Sequence, residues 1–441
     1  MHRDIYKKLL DWKSSKYRKP LVIKGARQVG KTYIVSVFGK NEFENMVTLN
    51  CDKDYRIHDI FNAGLRPDRI ISRIEVLSGQ KVTAGKTLLF IDEIGDEPRA
   101  LEALKYFCEE MPELHLIVAG SLLGLSIHAG ASYPVGKTDE LTLYPLSFFE
   151  FMAAKHSGAA LDLAVSPLSE AKGLKSFYTE ELREYYFTGG MPEVVQGLLD
   201  GRPYGDLRNI QKKILSDYAL DISKHASSSI LGRIHQVWNS IPQQLAKSNK
   251  KFLYGDIQKG ARAKDFELAI QWLVDAGIVY KIPRVRKVGM PLKFYEDFSG
   301  FKLFLLDHGL MGAMVDAPIS DILLHPEAFE EYKGTFTEQY ALEQLLSAGF
   351  SLFYFDSDTS KLEFDFIMQI DDRLVPIEVK AEENLKSKSL RQIKLDCPDC
   401  SPVRLSMSDY REQEWMVNVP LYLAGRIKEA VLRQGSHTGI E

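Results

Sequence analysis

The run Gly25-Ala26-Arg27-Gln28-Val29-Gly30-Lys31-Thr32 constrains this chain more than any other stretch. It reads G-x-x-x-x-G-K-T. The short apolar run Leu21-Val22-Ile23 precedes it, and an amphipathic run from Tyr33 to Phe38 follows. Strand, glycine-rich turn and helix is the order in which several backbone N–H groups turn toward one phosphate. The helix N-terminus adds its positive end. Residues Gly25, Ala26, Arg27, Gln28, Val29, Gly30, Lys31, Thr32 and Tyr33 are therefore the candidate nucleotide-binding segment. Lys31 is placed to reach the β- and γ-phosphates of ATP, and the Thr32 hydroxyl to ligate Mg²⁺.

A second motif fits the first. Thr87-Leu88-Leu89-Phe90-Ile91-Asp92-Glu93 has the pattern of a buried strand that ends in two acids. Asp92 would hold Mg²⁺, and Glu93 would polarise the attacking water as a general base or orienting group. Further strands are expected over Asn45–Asn50, Leu114–Ala119 and Glu140–Leu143, with a helix around Leu101–Phe107. Alternating strands and helices imply a parallel α/β sheet with ligand at the carboxyl ends of its strands. Ser121 follows the Leu116–Ala119 run, so its hydroxyl is a candidate γ-phosphate sensor beside Glu93.

Composition narrows the remaining classes. The chain has 441 residues, 45% hydrophobic and 26% charged, the balance of a soluble globular protein of two to four domains. Its net charge is −4, so any nucleic-acid surface must be local. Four cysteines are too few for a disulfide scaffold, and Cys397-Pro-Asp-Cys400 has no second ligand pair at zinc spacing. The charged N-terminus and the absence of a long apolar run point to the cytoplasm, without membrane contact.

The middle of the chain changes character. Ala153–Ala160 reads as an exposed connection, and Phe177–Phe187 and Asp206–Ile222 as helices of a lid that turns at Gly189-Gly190. From Ile234 the order is helix, short helix over Phe252–Ile257, and helix over Ala263–Ala276. A hairpin follows, from Gly277–Ile282 and Pro291–Tyr295. That is a winged-helix order. Pro242–Lys293 carries eleven Lys or Arg against four Asp or Glu, a net of +7. Arg284, Arg286 and Lys287 on the wing are candidate contacts to DNA or RNA backbone, though such modules also serve as pure packing units. His225, His235 and His308 show no ligand spacing and are taken as structural.

The last hundred residues predict a helix over Lys333–Ser347, then strands over Leu352–Phe355, Glu363–Met368 and Leu374–Lys380. Glu378 and Lys380 are two apart and share a face, which Asp365 can join from the neighbouring strand and Glu338 from the helix. Carboxylates so placed can hold Mg²⁺, with a lysine to activate water. The arrangement is similar to the PD-(D/E)XK nuclease core, with Glu338, Asp365, Glu378 and Lys380 in its four positions. A polar cluster that binds without cutting is the alternative.

Several strings together resemble an AAA-type family of bacterial and archaeal ATPases that carries a C-terminal region of undetermined function. They are Gly25–Thr32, Ile91-Asp92-Glu93-Ile94, Ala119-Gly120-Ser121-Leu122-Leu123, Leu143–Phe148 and Gly189–Val195. The resemblance implies the sheet order 5-1-4-3-2 and a first-sensor role for Ser121. Relatives often have Gly-Arg where this chain has Gly136-Lys137, which leaves Lys137, Arg99 and Arg183 as open candidates for an arginine-finger role.

The domains expected are an ATPase domain over 1–155, a helical lid over 156–230, a winged-helix module over 231–325 and a nuclease-like α/β domain over 326–441. The function expected is ATP binding and hydrolysis coupled to the C-terminal region. An ATP-gated, Mg²⁺-dependent nuclease and a nucleotide-dependent protein-binding switch are the alternatives. ATP and ADP are the expected ligands, DNA a candidate partner, and homo-oligomerisation a candidate state.

Overall fold

The computed structural model describes residues 1–121, 134–247, 249–323, 330–357, 362–382 and 387–436. Leu122 and Leu123 lie outside them, as does the tail from 437. The described chain forms two compact units. The N-terminal unit is His2–Tyr144 with Trp272–Ile278, and the C-terminal unit is Pro145–Gln271 with Val279–Glu441 and Met1.

The N-terminal unit is built on five parallel strands: β1 (Leu21–Lys24), β2 (Asn45–Asn50), β3 (Thr87–Asp92), β4 (His115–Ala119) and β5 (Asp139–Thr142). Their spatial order is β2-β3-β4-β1-β5, as expected. β3 and β4 are buried at every position, which is why their sequences are continuous apolar runs rather than alternating ones. The helix Pro98–Glu110 opens with proline at its first turn and buries Ala100, Leu101, Ala103, Leu104 and Phe107, a single helical stripe. That stripe joins Val22, Leu89, Ile91, Leu116 and Val118 in one apolar core.

The C-terminal unit holds an eight-stranded mixed sheet. Its strands are β6 (Val279–Val285), β7 (Glu296–Leu305), β8 (Phe353–Asp356), β9 (Glu363–Ile370), β10 (Arg373–Val379), β11 (Val403–Ser406), β12 (Arg411–Glu412) and β13 (Val417–Pro420). The order is β12-β13-β11-β10-β9-β8-β6-β7. β10, β11 and β13 run parallel, while β8, β9 and β10 pair antiparallel.

This topology departs from the sequence expectation at the hairpin. β6 and β7 form no separate wing, because β6 pairs with β8 and so extends the same sheet that carries Asp365 and Glu378. Gly300–Leu305 is buried at every position, a pattern a solvated wing does not have. The return strand also starts later than expected, at Glu296. Pro291 offers no N–H to a ladder, and Leu292–Tyr295 form a short 3₁₀ turn.

The stretch expected as an open connection at 153–160 is mostly helical. Ser147 and Glu150 form a reciprocal cap on the helix Phe148–Lys155, and the helix Ser157–Val165 follows after a break at His156. The chain turns at Gly189-Gly190 because two backbones meet there. A Cβ at Gly190 would collide with the Leu146 carbonyl, and the Gly190 N–H donates to Asp307 Oδ2 at 2.6 Å. Among the described residues no helix is long and apolar enough to cross a membrane.

Candidate active site

The loop between β1 and the helix Lys31–Glu42 has the backbone that phosphate binding requires. Gly30 caps the helix at φ +95° and Gly25 sits at φ +147°, both conformations that side chains resist. A Cβ at Gly25 would also strike the Leu143 carbonyl. Gln28 adopts φ +64° as well, which turns the loop back on itself. Ala26 and Val29 are buried and hold the loop down, while Tyr33 is half exposed on the outer side of the helix.

Lys31 is 6% exposed, and its Nζ donates to the loop carbonyls of Gly25 at 2.9 Å and Ala26 at 2.8 Å. Burial pushes its pKa down to about 8, with the Glu93 and Asp92 carboxylates opposing that shift. The Thr32 hydroxyl donates to Asp92 Oδ2 at 2.7 Å. Asp92 is itself pushed up by burial, a burden that a divalent cation on its oxygens would relieve. Two hard oxygen donors side by side at the end of β3 fit Mg²⁺.

Glu93 leaves the strand in the left-handed region, at φ 50° and ψ 43°. That turn brings its Oε2 to the end of β4, where it accepts from Ser121 N–H at 3.2 Å and from Ser121 Oγ at 3.0 Å. Ser121 Oγ in turn accepts from Arg27 Nε at 3.1 Å. Lys31, Thr32, Asp92, Glu93 and Ser121 are thus brought into one site. The Arg27–Ser121 tie was not legible in the motif, since the pattern leaves that position free.

The C-terminal carboxylates are arranged differently from the expected metal site. Glu338 is buried, and Lys302 donates to its Oε1 at 2.9 Å while Lys250 pairs with its Oε2. Both oxygens are therefore engaged by ammonium groups. The two lysines hold Glu338 at about 2 against its burial. Asp365 Oδ2 accepts from Val379 N–H at 2.8 Å, and burial together with the Glu338 charge raises it to about 6. Glu378 Oε1 pairs with Lys380 at 2.8 Å, and the Glu378 backbone lies in register with buried Arg404 on β11. Glu338, Asp365 and Glu378 do not bring three ligand oxygens within 4.8 Å of one another. Lys250 and Lys302, far upstream of the motif, carried no signal in the spacing.

The wing residues separate. Arg284 is 5% exposed and ion-paired with Asp297 at 3.4 Å and with Asp356, so it is a structural cation and not a phosphate contact. Arg286 is exposed and pairs with Asp297 at 3.0 Å, and Lys287 lies over the Tyr295 ring. Lys137 pairs with Glu109 at 2.8 Å, and Arg99 reaches the Asn62 carbonyl.

His308 is less isolated than its spacing suggested. It forms a buried group with Asp307 and Glu343, whose ligand atoms lie within 4.8 Å. Its Nδ1 faces Glu343 Oε2 at 2.6 Å and its Nε2 faces the Tyr185 carbonyl at 2.8 Å. Asp307 caps the following helix through Leu310 N–H and also accepts from Gly190. With both ring nitrogens engaged, the group is a structural network.

Family comparison agrees with the N-terminal geometry. Residues 17–152 match an AAA domain. The N-terminal unit carries an AAA-type domain with a P-loop sequence. Residues 179–321 and 333–423 match two domains of unknown function, DUF8612 and DUF4143. Among curated proteins none matches the chain. Solved structures similar to it include the Walker-type ATPase paby2304 of Pyrococcus abyssi, at 13% identity and TM-score 0.45, covering 71% of this chain and 95% of that one. The Thermotoga maritima RuvB Holliday junction branch migration motor is similar at 14% identity and TM-score 0.28, covering 64% and 90%. Cdc6p from Pyrobaculum aerophilum is similar at 10% and 0.24, covering 70% and 90%.

Proposed function

We propose that the chain binds and hydrolyses ATP, and that the nucleotide state is passed to the C-terminal unit as the output. The observation that carries this is the convergence of Lys31, the Thr32–Asp92 pair and the Glu93–Ser121 pair at the carboxyl ends of β1, β3 and β4. On ATP binding, Lys31 exchanges its loop carbonyls for the β- and γ-phosphate oxygens. Thr32 and Asp92 would hold Mg²⁺, which supplies neutralisation of phosphate charge. Glu93 orients and polarises the attacking water, and Ser121 positions Glu93. Gly25 to Tyr33 form the rest of the nucleotide contact. The test is Mg·ATP hydrolysis by the full chain beside Lys31→Ala and Glu93→Gln.

For the output, we favour binding over cleavage. The E-x-K strand and its sheet remain similar to a PD-(D/E)XK core, but Lys250 and Lys302 occupy the Glu338 oxygens that a cation would need. DNA is the partner we propose, reached by way of Arg286, Lys287 and the C-terminal sheet rather than by a free wing. Four free thiols suit a cytoplasmic location, and homo-oligomerisation would let a neighbour supply the arginine finger. Incubating linear and circular DNA with Mg²⁺ or Mn²⁺ separates the outcomes. Cutting that Asp365→Ala removes would establish a nuclease, and retention without cutting would support the binding module.

A further inference from the structure

The carboxyl ends of the parallel strands β10 and β11 lead to Ala381 and Met407, and both residues line a cleft of about 310 Å³ within the C-terminal unit. In open α/β sheets this edge is where ligands sit. The opposite wall is one face of the helix Lys175–Thr188, which offers Lys175, Thr179, Arg183 and Tyr186 at helical spacing. A helix face turned toward a cleft is ordinarily apolar. This one carries two cations and two hydroxyls, and Lys333 adds a third cation from the helix Glu330–Ser347.

The charges on these walls are not balanced. Lys175 pairs with Asp409 at 3.3 Å. Among the described residues, Arg183 and Lys333 have no ion-pair partner. Glu382 is the one carboxylate among the described lining residues. The hydroxyls are not fully satisfied either. Thr179 Oγ1 is buried with no hydrogen-bond partner, and the buried Tyr186 hydroxyl has only the Thr337 hydroxyl beside it. The neighbouring Thr337 hydroxyl donates to the Lys333 carbonyl at 2.7 Å and keeps its lone pairs for Tyr186. An orphaned buried donor disfavours the empty state, and an oxyanion beside Thr179 would satisfy it.

We propose that this cleft binds a phosphate ester. Arg183 and Lys333 hold the phosphate oxygens, with Lys175 at the rim, and the Thr179 and Tyr186 hydroxyls donate to the same group. The arginine fork matches two phosphate oxygens, and the lysines act as point charges. The volume suits one mononucleotide rather than a duplex. The ester can come from a single-stranded nucleic acid or from a free nucleoside monophosphate. The site does not depend on ATP hydrolysis.

The test uses the full chain, with fluorescein-labelled dT12 followed by anisotropy, dTMP followed by titration calorimetry, and mant-ADP to report the P-loop separately. Arg183→Ala/Lys333→Ala removes the charges. Thr179→Val keeps the shape and removes one donor, so that it tests the site even if the double variant misfolds. The expected result is at least a tenfold loss of dT12 affinity in the double variant and a several-fold loss in Thr179→Val, with mant-ADP binding unchanged. The slope of log affinity against log salt should flatten by about 1.4, the value for two phosphate contacts on a single strand. Binding of dTMP but not dT12, lost in the same variants, would assign the monoester as the source. Absence of binding by both probes would overturn the proposal, as would binding that these variants leave intact. Failure of wild type to bind mant-ADP would instead overturn the ATPase reading alone.

Discussion

Ser121 Oγ donates to Glu93 Oε2 at 3.0 Å while accepting from Arg27 Nε at 3.1 Å. The serine thus links the phosphate loop to the carboxylate that would face the attacking water. Replacing Glu93 by Gln should lower the hydrolysis rate by about 10²–10⁴-fold and leave nucleotide binding intact. Ser121→Ala should lower it by a smaller factor, about tenfold, since it removes the positioning hydroxyl and keeps the base. Single-turnover hydrolysis beside mant-ADP titration checks both. Equal rates for Glu93→Gln and wild type would remove Glu93 from the chemistry.

Lys31 links affinity to pH. Its ammonium form binds phosphate, and burial holds its pKa at about 8 in the nucleotide-free protein. ATP affinity should therefore weaken as the pH rises from 7 to 9, by up to about tenfold for each unit above that pKa. Lys31→Arg, which stays charged throughout, should flatten the profile even if it binds more weakly. Titrations at pH 7, 8 and 9 measure this directly.

In the C-terminal unit, Glu338 neutralises the buried Lys302 ammonium and the partly exposed Lys250 ammonium. Glu338→Ala would strand Lys250 and Lys302 and should cost about 3–5 kcal/mol, since an uncompensated buried charge is the dominant penalty. Urea unfolding of the variant should show a clearly lower midpoint. Because Glu338 is held at about 2, its contribution is present above the ordinary carboxylate range near 4.5 and is lost as pH falls through 2. A Glu338→Ala variant should therefore lack that part of the acid unfolding profile.

The His308–Glu343 pair predicts the opposite sign. Burial pushes His308 down, yet the Glu343 carboxylate carries it up to about 9. A raised folded pKa means that the His308 contribution is fully present below the unfolded value near 6.5 and is lost as pH rises through 9, and Glu343, pushed up to about 7 by burial, adds a decline of the same sign from about 4.5 to 7. Thermal melts between pH 6 and 9.5 should show a decline that His308→Gln reduces.

The convergence of Lys31, Thr32, Asp92 and Glu93 was legible because these residues lie in contiguous strings. Residues 25–32 and 87–93 each hold their own loop or strand geometry, so spacing alone placed Lys31, Thr32, Asp92 and Glu93 together. Strand positions followed from buried apolar runs, whereas their spatial order came from the family resemblance and not from any pattern in the runs. The C-terminal region was less legible because its decisive contacts are long-range. Lys250 reaches Glu338 across 88 positions, and Lys302 reaches it across 36. No local pattern marks either lysine as a counterion. Arg284 shows the same limit, since its charge suggested a surface contact while Asp297 and Asp356 hold it inside the sheet. The wing expectation meets a related limit, because a hairpin pattern does not say which strand its edge will meet.

The most direct test of the account is steady-state Mg·ATP hydrolysis by the purified full chain at several protein concentrations, with Lys31→Ala and Glu93→Gln in parallel. The account predicts hydrolysis in wild type, loss of both binding and turnover in Lys31→Ala, and retained binding without turnover in Glu93→Gln. A specific rate that climbs with protein concentration would add support for a finger supplied by a neighbouring copy. Failure of wild type to bind ATP, or turnover that Lys31→Ala leaves unchanged, would contradict the account.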